Sequence, residues 1–345
     1  MSKFRVGFES GFTRADGSPT YPVVDLSPLQ ADPKIELVHL KNSGVVSAAE
    51  VADLDALLLL GARFDAQSAH PSQRLALVAR FGVGYDNVDV EACTKNAIAL
   101  AITPDGVRRP VAVSVIAFLL ALTGRMFDKD RLSRVGPAGF AKKSEYMGVG
   151  LVGRTLGLVG IGNIGAETIR MAKPFDMNIV AHDPYADPAV ARELGVKLVE
   201  LDEVFRISDF ISLHVPLSDK TRHLVNAERI AMMKPTAFLI NTARGPIVDQ
   251  KALTKALQEQ RIAGAGLDVF DPEPPMADDP ILKLDNVILA PHALCHTDQC
   301  YAGMGASCFD AALAVRGGNA PKTVVNREVL GDARLKAKFA SFAKL

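Results

Sequence analysis

Three stretches late in the chain carry residue types that do proton and hydride chemistry, each just past a run that reads as a β-strand. In Ile240-Asn-Thr-Ala-Arg244-Gly245 an arginine stands at a strand-to-loop junction. In Gly266-Leu-Asp268-Val-Phe-Asp-Pro-Glu273-Pro two carboxylates follow a second strand, and in Leu289-Ala-Pro-His292 a histidine follows a third. A guanidinium can hold a carboxylate and polarise the carbonyl next to it. An imidazole can pass the proton that accompanies a hydride, and a neighbouring carboxylate orients such a ring and raises its pKa. Taken singly, each residue has a blander reading: a surface anchor for Arg244, a solvated loop acid for Glu273, a hydrogen-bonded histidine after proline for His292. Their joint occurrence at strand ends, beside a nucleotide motif, argues for the chemistry.

That motif is Thr155-Leu-Gly-Leu-Val-Gly160-Ile-Gly162-Asn163-Ile164-Gly165, a strand running into a glycine turn and then a helix. Gly160, Gly162 and Gly165 fit a dinucleotide fingerprint: one glycine for the turn, one for backbone approach to a pyrophosphate, one for helix–strand packing. A helix opening after Gly162 aims free N–H groups at the phosphates. The next apolar run, Asn178-Ile-Val-Ala-His, ends in Asp183, where a strand end meets the adenine ribose. A carboxylate there accepts from a free ribose diol and repels a 2′-phosphate, so NAD is expected over NADP. The alternative for Asp183 is a turn former before Pro184.

The elements that must position these residues alternate along the chain. Short apolar runs at 4–8, 35–40, 56–60, 75–81 and 98–102 read as strands of an α/β domain with a mostly parallel sheet. Ser47-Ala-Ala-Glu50 reads as a capping box opening a short helix. Residues 11–33 read as loop. Residues 104–110 read as a boundary, followed by a buried helix over 111–122 and a Gly-, Lys- and Arg-rich loop over 128–150. After the fingerprint, strands are expected at 210–215, 237–241, 262–269 and 287–290, with helices at 228–233 and 250–260. A long helix over 297–315 returns the chain to the first domain, which is therefore discontinuous.

A chain of 345 residues suggests two domains, each able to bury a core. Formal net charge is zero, so no global field favours nucleic acid or an anionic membrane, and a small-molecule partner fits better. The opening residues show no apolar signal region, and the longest apolar run, 111–122, reads as too short for a bilayer, which suggests a soluble cytoplasmic protein. Cys93, Cys295, Cys300 and Cys308 lack paired zinc-ribbon spacing and read as reduced thiols.

From Thr155 to Thr297 the chain resembles the D-isomer-specific 2-hydroxyacid dehydrogenases. The carriers are the fingerprint, Leu213-His-Val-Pro-Leu, Met233-Lys-Pro, Asn241-Thr-Ala-Arg-Gly, Gly266-Leu-Asp-Val-Phe and Pro291-His, with Gly82-Val-Gly-Tyr-Asp-Asn-Val-Asp89 and residues 321–326 outside that span. The resemblance implies two doubly wound α/β domains. A Rossmann NAD-binding domain (108–297) would be inserted in a discontinuous flavodoxin-like substrate domain (1–107 and 298–345), with a cleft between them. It further implies a homodimer joined through the NAD domains and a reaction interconverting a D-2-hydroxyacid and its 2-oxoacid.

By the same resemblance Arg244 binds and polarises the 2-oxoacid, His292 is the acid/base, and Glu273 is its partner. Asn163, Ile164 and Asp183 hold the pyrophosphate and adenosine end of the cofactor. Val215, Pro216, Thr221, Thr242, Ala243, Arg244, Asp268 and His292 contact the rest, with Asp268 near the carboxamide. Arg63 and the amides of Val83 and Gly84 join Arg244 and His292 in receiving the substrate. Formate-oxidising relatives place glutamine at position 273, so formate is disfavoured.

The chain departs from the family pattern in places that bear on the substrate. Leu294, Cys295 and His296 replace a glycine-containing loop after the histidine. Arg108 and Arg109 replace a more acidic pattern, either to reach an anionic substrate or as the surface of a helix start. Tryptophan is absent, although many relatives carry one near Phe140. His292, Cys295, His296, Asp298 and Cys300 include metal-ligand types, but zinc would consume the presumed base, so no metal is expected. Cys295 would be sensitive to alkylation if His296 lowers its pKa; unchanged activity after iodoacetamide would count against this. Rival readings are an NAD(H)-sensing protein like the corepressors called C-terminal-binding proteins, and a phosphite-oxidising dehydrogenase.

Overall fold

The computed structural model describes residues 3–41, 44–69 and 74–345. The first two residues of the opening stretch, Met1 and Ser2, lie outside them. The chain divides into two compact units, Met1–Val107 with His296–Leu345, and Arg108–Cys295.

In the first unit, strands β1 (Phe4–Phe8), β2 (Ile35–His39), β3 (Ala56–Leu59), β4 (Leu77–Arg80) and β5 (Ala99–Ala101) form a parallel sheet in the order β2-β1-β3-β4-β5. This is the flavodoxin-like order, whose direction of winding reverses between β1 and β3. Its strands are continuous apolar runs because both faces are covered; Ala56 to Leu59 are wholly buried. The expected capping box is present, with Ser47 accepting from the Glu50 amide and Glu50 reaching back to the Ser47 amide. The 11–33 loop contains one short helix, Ser27–Gln30, opened by Pro28 in its first turn.

The second unit carries β6 (Thr155–Val159), β7 (Asn178–His182), β8 (Lys197–Leu198), β9 (Phe210–Leu213), β10 (Phe238–Asn241), β11 (Gly264–Leu267) and β12 (Val287–Leu289). They pair in parallel in the order β12-β11-β10-β9-β6-β7-β8, the Rossmann order extended by one strand. Period-two alternation splits their side chains between two cores. Leu156, Leu158, Phe210, Phe238 and Ile240 face one, and Val159, Ile211, Leu213, Leu239 and Leu267 the other. Each such fully buried side chain contributes about 1.5–3 kcal/mol. The short edge strand β8 has no sequence signal, since two exposed residues carry no pattern.

The residues read as a boundary, 104–110, include the point where the two units divide, and they are helical: helix α1 runs over Pro104–Gly124, with Pro104 in its first turn and Pro110 inside it. An internal proline costs about 3 kcal/mol in an isolated helix, and here burial of Val107, Val111, Val115, Phe118 and Leu119 offsets it. Two other expectations are corrected. At 21 residues α1 is long and apolar enough to cross a bilayer, contrary to the shorter estimate, but 67% of its apolar window is buried inside the protein, as in a core helix.

Residues 128–150 are largely not loop: helices span Met126–Val135 and Pro137–Ala141, and a 3₁₀ turn spans Lys143–Tyr146. The first buries no residue and is laced by Arg131–Asp128 at 2.5 Å and Arg134–Asp130 at 2.7 Å, pairs one turn apart. Gly136, at φ +76°, ends it, and Pro137 starts the next.

Candidate active site

Helix α2 (Asn163–Ala172) starts from Gly162, which offers no side-chain cap, so its first-turn N–H groups are left for an outside acceptor. The three fingerprint glycines are required for three different reasons. Gly160 has φ +94°, and a Cβ there would lie 3.0 Å from the His214 carbonyl oxygen. A Cβ on Gly165 would overlap the carbonyl oxygen of Gly160. A Cβ on Gly162 would meet no protein atom within 4 Å, so nothing within the protein demands glycine there. Space and uncapped donors together fit a pyrophosphate. Asp183, one residue past β7, accepts from the Ile161 amide through Oδ2 and the Tyr185 amide through Oδ1, both at 2.9 Å. That fixes the carboxylate beside the glycine turn, with lone pairs remaining for a diol.

After β9, Val215 and Pro216 enter a turn closed by Thr221, whose hydroxyl donates to the Pro216 carbonyl at 2.6 Å and accepts from the Ser218 amide. After β10, the buried Asn241 shapes the loop bearing Arg244. Its Oδ1 accepts from the Ala243 amide and its Nδ2 donates to the Arg244 carbonyl at 2.9 Å. This residue escaped the sequence reading, although an Asx turn after an apolar run was there to be seen. The Thr242 hydroxyl is buried with no hydrogen-bond partner among the described residues, as a cofactor contact would leave it. Arg244 Nη1 donates to the Ala243 carbonyl.

A Cβ on Gly245 would overlap the Phe270 carbonyl, so the Arg244 loop packs backbone to backbone on the loop after β11. That loop brings Glu273 to His292: Oε1 lies 2.6 Å from Nδ1, while Oε2 accepts from the Phe270 amide at 3.1 Å. Burial pushes the Glu273 carboxyl up, but the His292 hydrogen bond and charge, the Phe270 amide and Arg244 together hold it below the usual value. His292 sits at φ +53°, a strained conformation for a non-glycine residue. The loop after it is tied down by buried Asp268, whose Oδ1 accepts from the Ala293 and Leu294 amides at 2.9 and 3.2 Å.

Arg244, Glu273 and His292 thus converge at the carboxyl edge of β10, β11 and β12. Of the two carboxylates, Glu273 pairs with the imidazole and Asp268 braces its loop. Arg109 is engaged elsewhere, donating to Glu167 of α2 at 2.6 Å. In the first unit Arg63 follows β3, and Val83 and Gly84 follow β4. His296 Nδ1 lies 3.1 Å from the Tyr301 hydroxyl.

A Rossmann-ordered sheet with this glycine turn and an Arg/Glu/His constellation at its carboxyl edge defines an NAD-dependent oxidoreductase. Residues 116–293 match the model of the D-isomer specific 2-hydroxyacid dehydrogenase NAD binding domain. Among curated relatives, the glyoxylate reductase of Korarchaeum cryptofilum is 44% identical, covering 81% of this chain and 85% of its own. That of Thermococcus onnurineus is 42% identical over the same shares. Among solved structures, a glyoxylate reductase from Paecilomyes thermophila superposes with a TM-score of 0.81 at 26% identity, covering 95% of this chain and all of its own. The chain belongs to the D-isomer specific 2-hydroxyacid dehydrogenase family. It is an NAD-dependent oxidoreductase acting on CH–OH donors of the D-2-hydroxyacid class.

Proposed function

We propose that this chain reduces a small 2-oxoacid, glyoxylate first among them, to the 2-hydroxyacid with NADH. The observation that carries the catalytic assignment is the 2.6 Å Glu273–His292 contact beside Arg244. The cofactor, when held at the glycine turn, would supply the hydride that reduces substrate C2. Arg244 holds the substrate carboxylate and draws electron density onto the carbonyl oxygen. His292, with Nδ1 on Glu273, presents Nε2 to that oxygen and gives it a proton, so hydride plus proton yield the alcohol. Glu273, kept ionised, stabilises the imidazolium before transfer and fixes the ring afterwards.

In this proposal Arg108–Cys295 is the NAD domain and the other unit the substrate domain, whose Arg63 and Val83 and Gly84 amides receive the substrate's carboxylate end. Gly160, Gly162, Asn163, Ile164, Gly165 and Asp183 hold the pyrophosphate and adenosine. Val215, Pro216, Thr221, Thr242, Ala243 and Asp268 line the nicotinamide half. Rates of NADH oxidation across 2-oxoacids graded by size and charge, with NADPH in parallel, test the reading. Turnover of glyoxylate with NADH well above NADPH is expected. Tight NADH binding with silence across the panel would refute it and favour an NAD(H)-sensing protein.

The proposal includes a cytoplasmic homodimer. Four free cysteines fit a reducing compartment. Exposed Met126, Phe127, Val135 and Met147 line a groove of about 920 Å³ in the NAD unit, suited to a second copy. Sedimentation at the monomer mass would refute the dimer.

A further inference from the structure

We propose that Glu9, outside every motif singled out in the sequence, is a positioning residue of the substrate domain; this rests on the reading that Arg63, Val83 and Gly84 receive the substrate. Glu9 follows β1 at the point where the sheet reverses its winding, the usual ligand edge of a flavodoxin-like sheet. Its residue exposure is 5%, and its Oε2 accepts three backbone N–H groups in succession, from Leu60 at 2.6 Å, Gly61 at 2.7 Å and Ala62 at 3.1 Å. Three converging amides past a strand end make an anion nest, and here the chain's own carboxylate fills it. Hydrogen bonds to a charged acceptor are roughly twice as strong as neutral ones, so the turn into Arg63 is held firmly.

The clamp reaches both substrate segments. Next to the clamped amides, Arg63 bonds through its own amide to the Gly44 carbonyl and through its carbonyl to the Val46 amide. The Ala62 carbonyl accepts from Asn87 Nδ2 at 2.7 Å, the Phe64 amide donates to the Asn87 carbonyl, and the Asp89 amide donates to the Phe64 carbonyl. Residues 60–64 and the loop 82–89, which contains Val83 and Gly84, are therefore one hydrogen-bonded piece with Glu9 at its root. Removing the carboxylate takes the shared acceptor from three successive amides, that of buried Ala62 among them, and lets both segments shift together.

The experiment compares wild-type protein with Glu9→Ala and with Glu9→Gln, which keeps a carbonyl acceptor without charge. Expected for Glu9→Ala are a KM for the 2-oxoacid raised about 10- to 100-fold, a kcat within about threefold, and an unchanged Kd for NADH followed by its own fluorescence. Glu9→Gln should fall between the two and serves as the test if Glu9→Ala does not fold. Hydrogen exchange should quicken at 60–64 and at 83–89 and stay unchanged over 108–295. A KM within twofold of wild type, or exchange that quickens at 60–62 but not at 83–89, overturns the proposal. If wild-type protein turns over no 2-oxoacid, the reading of the reaction fails, and the exchange pattern alone then decides the clamp.

Discussion

Replacing Gly162 with alanine separates what the fold requires from what the cofactor requires. The backbone at Gly162 is extended, with φ −62° and ψ −163°, which alanine tolerates, and the added methyl meets no protein atom within 4 Å. Folding stability should therefore hold or rise by about 0.4–1 kcal/mol through the lost freedom of the unfolded chain. The methyl would stand where the pyrophosphate comes closest to the backbone, and crowding of this kind costs about 1–3 kcal/mol. That corresponds to a Kd for NADH weakened about 5- to 150-fold. Gly160→Ala provides the contrast: at φ +94° with the His214 carbonyl 3.0 Å from the new Cβ, it should destabilise the fold itself by about 1–3 kcal/mol. Thermal denaturation without cofactor and NADH titration read the two quantities separately. A Gly162→Ala protein that bound NADH normally would place the pyrophosphate elsewhere, and one as destabilised as Gly160→Ala would show that the glycine serves the fold.

Arg244→Ala should lower kcat/KM for the oxoacid by about 100- to 1,000-fold, well beyond any loss of NADH affinity, since the guanidinium acts chiefly on substrate; near-normal kcat/KM would remove Arg244 from the mechanism. Glu273→Gln keeps a hydrogen-bond acceptor on His292 Nδ1 but not the charge. With side chains 38% and 43% exposed, solvent screens much of that charge, so a loss of about tenfold in kcat is expected in single-turnover reduction. Burial raises the Asp209 carboxyl, but the Thr155 amide, Lys234 and Arg154 outweigh it and hold the group below its ordinary 3.8. A depressed folded pKa stabilises above the unfolded value and is lost as pH falls through the folded one. Asp209→Asn should therefore lose stability at neutral pH and converge on wild type in acid denaturation below about pH 3.8; parallel curves down to pH 2 would refute this.

Much of the fold was legible because its signals are local. Parallel strands buried on both faces appear as short continuous apolar runs, and nine of those marked in the sequence are strands, one over its full length and eight shortened by a few residues at their ends. The glycine turn, Asp183 and the order Arg244, Glu273, His292 are likewise written in residues that are neighbours or that end strands. Helix in residues 126–146 was hidden because it buries almost nothing, so no apolar stripe marks it; its signal lies in charge spacing instead.

What only tertiary structure decided are pairings between loops far apart in sequence. By residue type alone Asp268 and Glu273 are equal partners for His292, and only the family resemblance singled out Glu273. The close packing of Gly245 on Phe270 and the Asp268 bonds to the amides of Ala293 and Leu294 assign one to the imidazole and the other to its loop. Arg109, a candidate anion ligand in sequence, is drawn to Glu167, 58 residues away. Glu9 meets amides 51 to 53 residues along the chain because β1 and β3 lie side by side in the sheet. Residue type states what a side chain can bond to, but the partner is fixed by which strand ends the sheet order makes neighbours, and that order is a property of the whole packed core.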